Sequence, residues 1–252
     1  MQTLIAAYFS PWSEKARWAL DHHNVAYRYR EHIPMLGEPM LRVRSRAIRG
    51  RVSVPALIAN GRVLNDSLDI ARDVDRTGKG TKLFPPEHDA AIASWNTRSE
   101  VALAAGRALY FERFVRDPAA QIDMQPRAFP GWLRRCSAPL TGVAIAFLRR
   151  KYGVSKDVLA SAEATLDHEL AHLRDALSKG RDHLVGDSFT YADIAMSVVL
   201  QFIAPVSTKY IPLGPSAVAA WTYPEFEERY ADLIRWRDAM YTRHRPLPAR
   251  SR

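Results

Sequence analysis

The chain has 252 residues, of which 47% are hydrophobic and 25% charged, an ordinary globular composition that excludes a disordered or fibrous chain. Its formal net charge of +9 favours anionic partners, but the arginines at 28, 30, 42, 44, 46, 49 and 51 and the tail RHRPLPARSR carry no nucleic-acid motif and read as a solvated basic surface. The single cysteine, Cys136, excludes an internal disulfide and a four-cysteine zinc site, and with no membrane-spanning run or leader-like start the expectation is a cytoplasmic protein without nucleic-acid partners.

In chain order, residues 3–9 (TLIAAYF) predict a strand, Ser10-Pro11 a turn, and SEKARWALDHH a helix with Ala16, Trp18, Ala19 and Leu20 on one face. VAYRYREHI alternates as a half-buried strand, and PMLGEPMLRVRSRAI reads as a short, interrupted helix or loop. SVPALIANGRVLN gives two strands joined through Asn60-Gly61, a strong hairpin signal, and DSLDIARDVDRT closes the half as a helix. The order β-α-β-α-β-β-α thus fills residues 1–78, and TGKGTKLFPPEHD supplies a linker at 79–86. From 87 to 243 only helical periodicity follows, at 87–116, 155–179, 190–204 and 223–243, with 115–150 undetermined; residues 244–252 read as a basic mobile tail.

Four local patterns carry chemistry or fold. YFSPWSEKARWAL places Ser10 and Ser13 where a dithiol turn would carry CPxC, so disulfide exchange is unavailable. The free N–H groups and positive dipole end of a helix that starts here favour an anion; the plainer alternative is that Ser10 merely caps the helix, with Pro11 at its first position. Ser53-Val54-Pro55-Ala56-Leu57 is a strand entered through a proline, which an edge strand would also tolerate. Asn65-Asp66-Ser67 opens a helix with a carboxylate and a hydroxyl at its start, an arrangement that an ordinary N-cap also gives. In Leu184-Val185-Gly186-Asp187-Ser188-Phe189-Thr190-Tyr191-Ala192-Asp193, Thr190 and Asp193 have the spacing of a capping box, with Phe189 and Ile194 as a hydrophobic staple.

Taken together and in this order, the four patterns resemble the cytosolic glutathione S-transferases of the serine and cysteine type. The resemblance implies a glutathione transferase fold, α/β plus all-α: an N-terminal thioredoxin-like glutathione-binding domain and a C-terminal helical-bundle domain. It implies Ser10 as donor to the glutathione thiolate, with Tyr8 of the Tyr8-Phe9 pair in reserve. Glutathione would meet Trp12, Ser53, Val54 through its main chain beside a cis Pro55, Asp66 and Ser67. A hydrophobic electrophile would lie against Trp12, Arg107, Tyr110, Phe111 and Phe114, although such a set is also what a helix core contains. Many relatives carry a basic residue where this chain has Ser53, so Arg49 or Arg51 is the candidate for the glycyl carboxylate. The resemblance further implies a homodimer, with conjugation, isomerisation, dehalogenation and peroxide reduction all open. The alternative is a non-catalytic binding or regulatory protein on the same scaffold.

Residues 168–172, His-Glu-Leu-Ala-His, match the zinc-protease pattern H-E-x-x-H. They lie in a helix whose buried stripe is already set by Leu166, Leu170, Leu173 and Leu177, and the nearest further ligands are Asp182, His183, Asp187 and Asp193 of the turn and cap just described. The expectation is therefore no metal.

Overall fold

The computed structural model describes residues 2–45, 52–59, 61–125, 129–178 and 180–247. Four strands and three helices open the chain: β1 (Gln2–Ala6), α1 (Pro11–His22), β2 (Tyr27–Glu31), α2 (Glu38–Ser45), β3 (Ala56–Ala59), β4 (Arg62–Leu64) and α3 (Ser67–Thr77). Among the described residues, eight α-helices follow: α4 (Asp89–Phe114), α5 (Pro118–Asp123), α6 (Gly131–Lys151), α7 (Lys156–Leu177), α8 (Tyr191–Ser197), α9 (Pro215–Trp221), α10 (Pro224–Arg229) and α11 (Ala231–His244). None of the helices among the described residues is long and apolar enough to cross a membrane.

The strands form one mixed sheet in the order β2-β1-β3-β4, with β1 parallel to β2 and antiparallel to β3, and β4 antiparallel to β3. Side chains alternate across such a sheet, so Ile5, Ala56 and Ile58 share one face and pack with Leu41 of α2 and Val52. Leu4, Ala6 and Leu57 fill the other face as completely, where α1 and α3 pack along each other. The β3–β4 turn needs a left-handed residue, and Gly61 supplies it at φ 75°; Asn60 lies outside the described residues.

Two compact units emerge, with boundaries that do not follow chain order: Met1–Thr97, Ala176–Val198 and Trp236–Arg252 form the first, and Arg98–Asp175 with Val199–Arg235 the second. The first unit therefore recruits α8 and most of α11 to its sheet and helices. Trp18 of α1 is the reason: its ring lies 4.3 Å from Tyr241 and 5.8 Å from Phe189, and its indole N–H donates to the His244 carbonyl at 3.0 Å. Phe189 stacks on His244 at 4.1 Å and also meets the rings of Trp18, His22 and His183. The expected mobile tail is corrected at its start, because Arg245 is buried in ion pairs with α1.

Of the expected stripe of α7, Leu166, Leu170 and Leu173 are buried, whereas Leu177 at the end of the helix is only half-buried. An aromatic cluster of Tyr110, Phe114, Phe202 and Trp221 forms part of the second unit's core, with Tyr110 4.2 Å from Trp221 and Phe202 4.9 Å from Trp221. The stretch 115–150, unread from sequence, is helical in α5 and α6. Asp123 at the end of α5 accepts from the main-chain amides of Ser216 and Ala217, at 2.8 and 3.2 Å, and so caps α9.

Candidate functional site

The sheet register gathers three of the four patterns. β1 ends at Ala6; antiparallel pairing puts the start of β3 beside that end (Ile5 opposite Ala56) and the end of β4 beside the start of β3 (Leu57 opposite Leu64). The Tyr8–Ser10 turn, the Val54-Pro55 step and the Asp66-Ser67 helix start therefore all leave from one end of the sheet. Two helix N-termini, those of α1 and α3, flank it, and each turns a positive dipole end toward it.

Ser10 is the N-cap residue of α1 by position, at φ −75° and ψ 125°, with Pro11 first in the helix. Its hydroxyl makes no capping hydrogen bond within α1. Its amide donates to the Ala7 carbonyl at 3.1 Å, which closes the turn. Ser13, at the second CPxC position, is buried and accepts from the Ala7 amide at 3.2 Å, so that hydroxyl serves the turn's shape.

Tyr8 is held on both sides. Its amide donates to Glu31 Oε1 at 3.3 Å, and its carbonyl accepts from Arg17 Nη2 at 2.8 Å. Glu31 is oriented by the Tyr29 hydroxyl at 2.6 Å. Burial, and then the Glu31 charge, push the Tyr29 phenol far above the ordinary tyrosine value, so it stays a donor. The Tyr8 ring is half-buried and edge-on to Phe9, with centroids 5.2 Å apart.

The Val54–Pro55 peptide is cis, as the resemblance implied. The β3 ladder begins only at Ala56, so the main chain of Val54 stands outside it. Asp66 is exposed and caps α3, with Oδ1 accepting from the Leu68 amide at 2.7 Å, while Ser67 is buried. Trp12 and Ser53 are half-buried. Arg49 and Arg51 lie outside the described residues.

The set expected to line an electrophile behaves differently. Tyr110, Phe111 and Phe114 are 4%, 7% and 5% exposed, and Tyr110 and Phe114 belong to the aromatic core of the second unit. Arg107 lays its guanidinium 4.0 Å over the Tyr152 ring. The helix-core alternative describes these surroundings.

The H-E-x-x-H segment divides its residues. His168 is exposed, whereas Glu169 is buried and paired with Arg98 at 2.9 Å, so the would-be base serves a structural ion pair. No group of three or more metal-binding side chains occurs among the described residues.

The Thr190–Asp193 capping box is present at the start of α8. The Asp193 carboxylate accepts from the amides of Thr190 and Leu184, at 2.8 and 2.9 Å, and His183 stands 3.7 Å away. The neighbouring Asp193 carboxylate raises the pKa of His183.

Sequence reasoning missed the charges beneath the α1 turn. Glu14, Arg17 and Arg245 are all buried and joined in one chain of ion pairs. The i,i+3 spacing of Glu14 and Arg17 was a visible signal. Arg245, 231 residues from Glu14, left none.

Residues 9–77 match the family model of the glutathione S-transferase N-terminal domain, and residues 124–239 match that of the C-terminal domain. The chain belongs to the glutathione S-transferase family. A "Probable glutathione S-transferase" of Nicotiana tabacum is 24% identical to this family member over 238 residues, covering 93% of the chain and 81% of the relative. A glutathione S-transferase domain-containing protein of Marinobacter aquaeolei shares its fold at a TM-score of 0.63 and 19% identity, with 96% and 98% of the two chains covered. A glutathione S-transferase of Methylobacterium radiotolerans, solved with glutathione sulfonate, does so at 0.61 and 20%, covering 100% and 97%. The expected fold, a thioredoxin-like sheet domain followed by helices, is the fold of these transferases, and family membership makes the chain a transferase-type enzyme whose particular chemistry is open.

Proposed function

We propose that the chain binds glutathione at the end of the sheet where Ser10, Val54 and Asp66-Ser67 converge, and activates its thiolate for attack on a hydrophobic electrophile. The observation that carries this reading is Ser10: a hydroxyl at the N-terminus of α1 that does not cap its own helix and so suits a ligand's anion. As donor to the thiolate it would favour the charged form, lower the thiol pKa and raise the fraction of nucleophile at neutral pH. Val54 would pair its main-chain amide and carbonyl with the cysteinyl residue. Asp66 and Ser67 would receive the γ-glutamyl ammonium and carboxylate, the former beside the bond Asp66 already accepts from Leu68. Glutathione bound in the Methylobacterium radiotolerans relative as its sulfonate supports the same ligand class here.

A homodimer belongs to this proposal. Leu36, Met40 and Val43 of α2 and its approach are exposed at 73%, 57% and 76%, and Trp132, Leu140 and Val143 of α6 at 68%, 66% and 55%. Each set recurs at helical spacing and is apolar surface that a second copy could cover.

Calorimetric titration of the purified chain with glutathione tests the proposal. Saturable one-site binding is expected, with thiolate absorbance in the ultraviolet at neutral pH. Binding without thiolate would instead favour the non-catalytic scaffold, and no binding at millimolar glutathione would end the proposal.

A further inference from the structure

The proposed chemistry makes no use of the buried charges under α1, and yet they lead directly to the turn. Arg17 Nη2 donates to the Tyr8 carbonyl at 2.8 Å and lies 2.5 Å from Glu14 Oε2. Glu14 Oε1 accepts from Arg245 Nε at 2.7 Å, and Arg245 Nη1 donates to Asp21 Oδ2 at 2.6 Å and to the Pro246 carbonyl at 2.9 Å. Glu14, Arg17 and Arg245 are 0%, 7% and 4% exposed. Burial pushes the Glu14 carboxyl up, and the guanidiniums of Arg17 and Arg245 more than reverse it, so Glu14 is ionised.

Two guanidiniums and two carboxylates balance. A buried ionic set of this kind is seldom a net source of stability over apolar packing, but removing one member leaves an uncompensated charge. Here the set has a direction. It begins in the C-terminal segment and ends on the peptide that precedes Phe9 and Ser10, whose other side is fixed by Glu31. Without Arg245, the Glu14 and Asp21 carboxylates would compete for Arg17, which stands three residues from one and four from the other in α1 and can turn away from Tyr8.

We infer that Arg245 is a positioning residue for the Tyr8–Ser10 turn, acting through Glu14 and Arg17 to hold the main chain that aims the Ser10 hydroxyl. The inference rests on the glutathione-binding reading of that turn. Loss of Arg245 shifts the turn, weakens glutathione binding by about tenfold and raises the pKa of the bound thiol, since one charge-assisted link of the set is broken.

The test uses the full chain with Arg245→Met, Arg17→Met and both together, measuring glutathione affinity by calorimetry and thiolate absorbance against pH. Each single variant is expected to bind more weakly with a raised thiol pKa. The double variant is expected to bind no more weakly than Arg17→Met alone, because both act through one path. A merely structural role would lower the unfolding temperature and leave the affinity and thiol pKa of the folded protein unchanged. Arg245→Met with wild-type affinity and thiol pKa, or a double variant in which the two losses add in full, overturns the inference. Should Arg245→Met fail to fold, Glu14→Gln keeps the shape and removes the charge that joins the arginines, and wild-type values there overturn it equally. A wild-type chain that binds no glutathione overturns both the reading and the inference, whereas a binding wild type with unaffected variants overturns the inference alone.

Discussion

Ser10 and Ser13 occupy the same turn, have the same chemistry and do different things. Ser13 is buried and accepts the Ala7 amide, while Ser10 is half-buried with no capping bond. The proposed function therefore assigns them unequal consequences. Ser10→Ala is expected to leave glutathione affinity nearly intact and to raise the pKa of the bound thiol, because the lost hydroxyl donor favoured the thiolate over the thiol. A charge-assisted hydrogen bond of ~1.5–3 kcal/mol corresponds to a loss of roughly one to two powers of ten in turnover near neutral pH. The deficit shrinks as pH rises through the variant's thiol pKa, since both proteins then hold thiolate. Thiolate absorbance against pH for wild type, Ser10→Ala and Tyr8→Phe decides the matter: a shift in Tyr8→Phe alone would transfer the role to the phenol.

At the scale of elements, helices with strong local signals were legible and those shaped by neighbours were not. The capping box of α8 and the leucine stripe of α7 are written in neighbouring residues, and the box formed as read while the stripe is buried at Leu166, Leu170 and Leu173 and half-buried at Leu177. α9 begins at Pro215 and takes its cap from Asp123, 92 positions before that proline in the chain, so no local pattern announced it. Gly106 in α4 shows the same competition. By helix propensity Ala should gain about 1 kcal/mol there. A Cβ at 106, however, would lie 2.6 Å from the ring of Phe202, itself packed against Tyr110 and Trp221 in the core. Overpacking costs ~1–3 kcal/mol, so Gly106→Ala is expected to lower the urea midpoint of unfolding. A variant more stable than wild type would show that the Phe202 ring yields and that propensity decides.

On the scale of the whole molecule, a pairing of two copies is the expected state. Light scattering at micromolar concentration should give twice the chain mass of 28.5 kDa, and a value at the single-chain mass would remove the dimer from the proposal. The β-α-β-α-β-β-α order of the first half and the second-half capping box were readable in the sequence, because each depends on residues within a few positions of one another, whereas the cis Val54–Pro55 step was implied only by the family resemblance. The candidate site was readable in the same measure: Ser10, Val54 and Asp66 each sit in a local motif, and the sheet register brings those motifs to one end. Tyr110, Phe111 and Phe114 were ambiguous, since an apolar helix face looks the same whether it meets a ligand or a core, and burial places them in the core. What only the tertiary structure decided was long-range. It drew α8 and the end of α11 into the first unit, and it carried Arg245 into the interior beside Glu14. Local propensity fixes turns, caps and periodicity over one or two turns of chain. The burial of a charge depends on which opposite charge lies beside it in space, and that partner here stands 231 residues away.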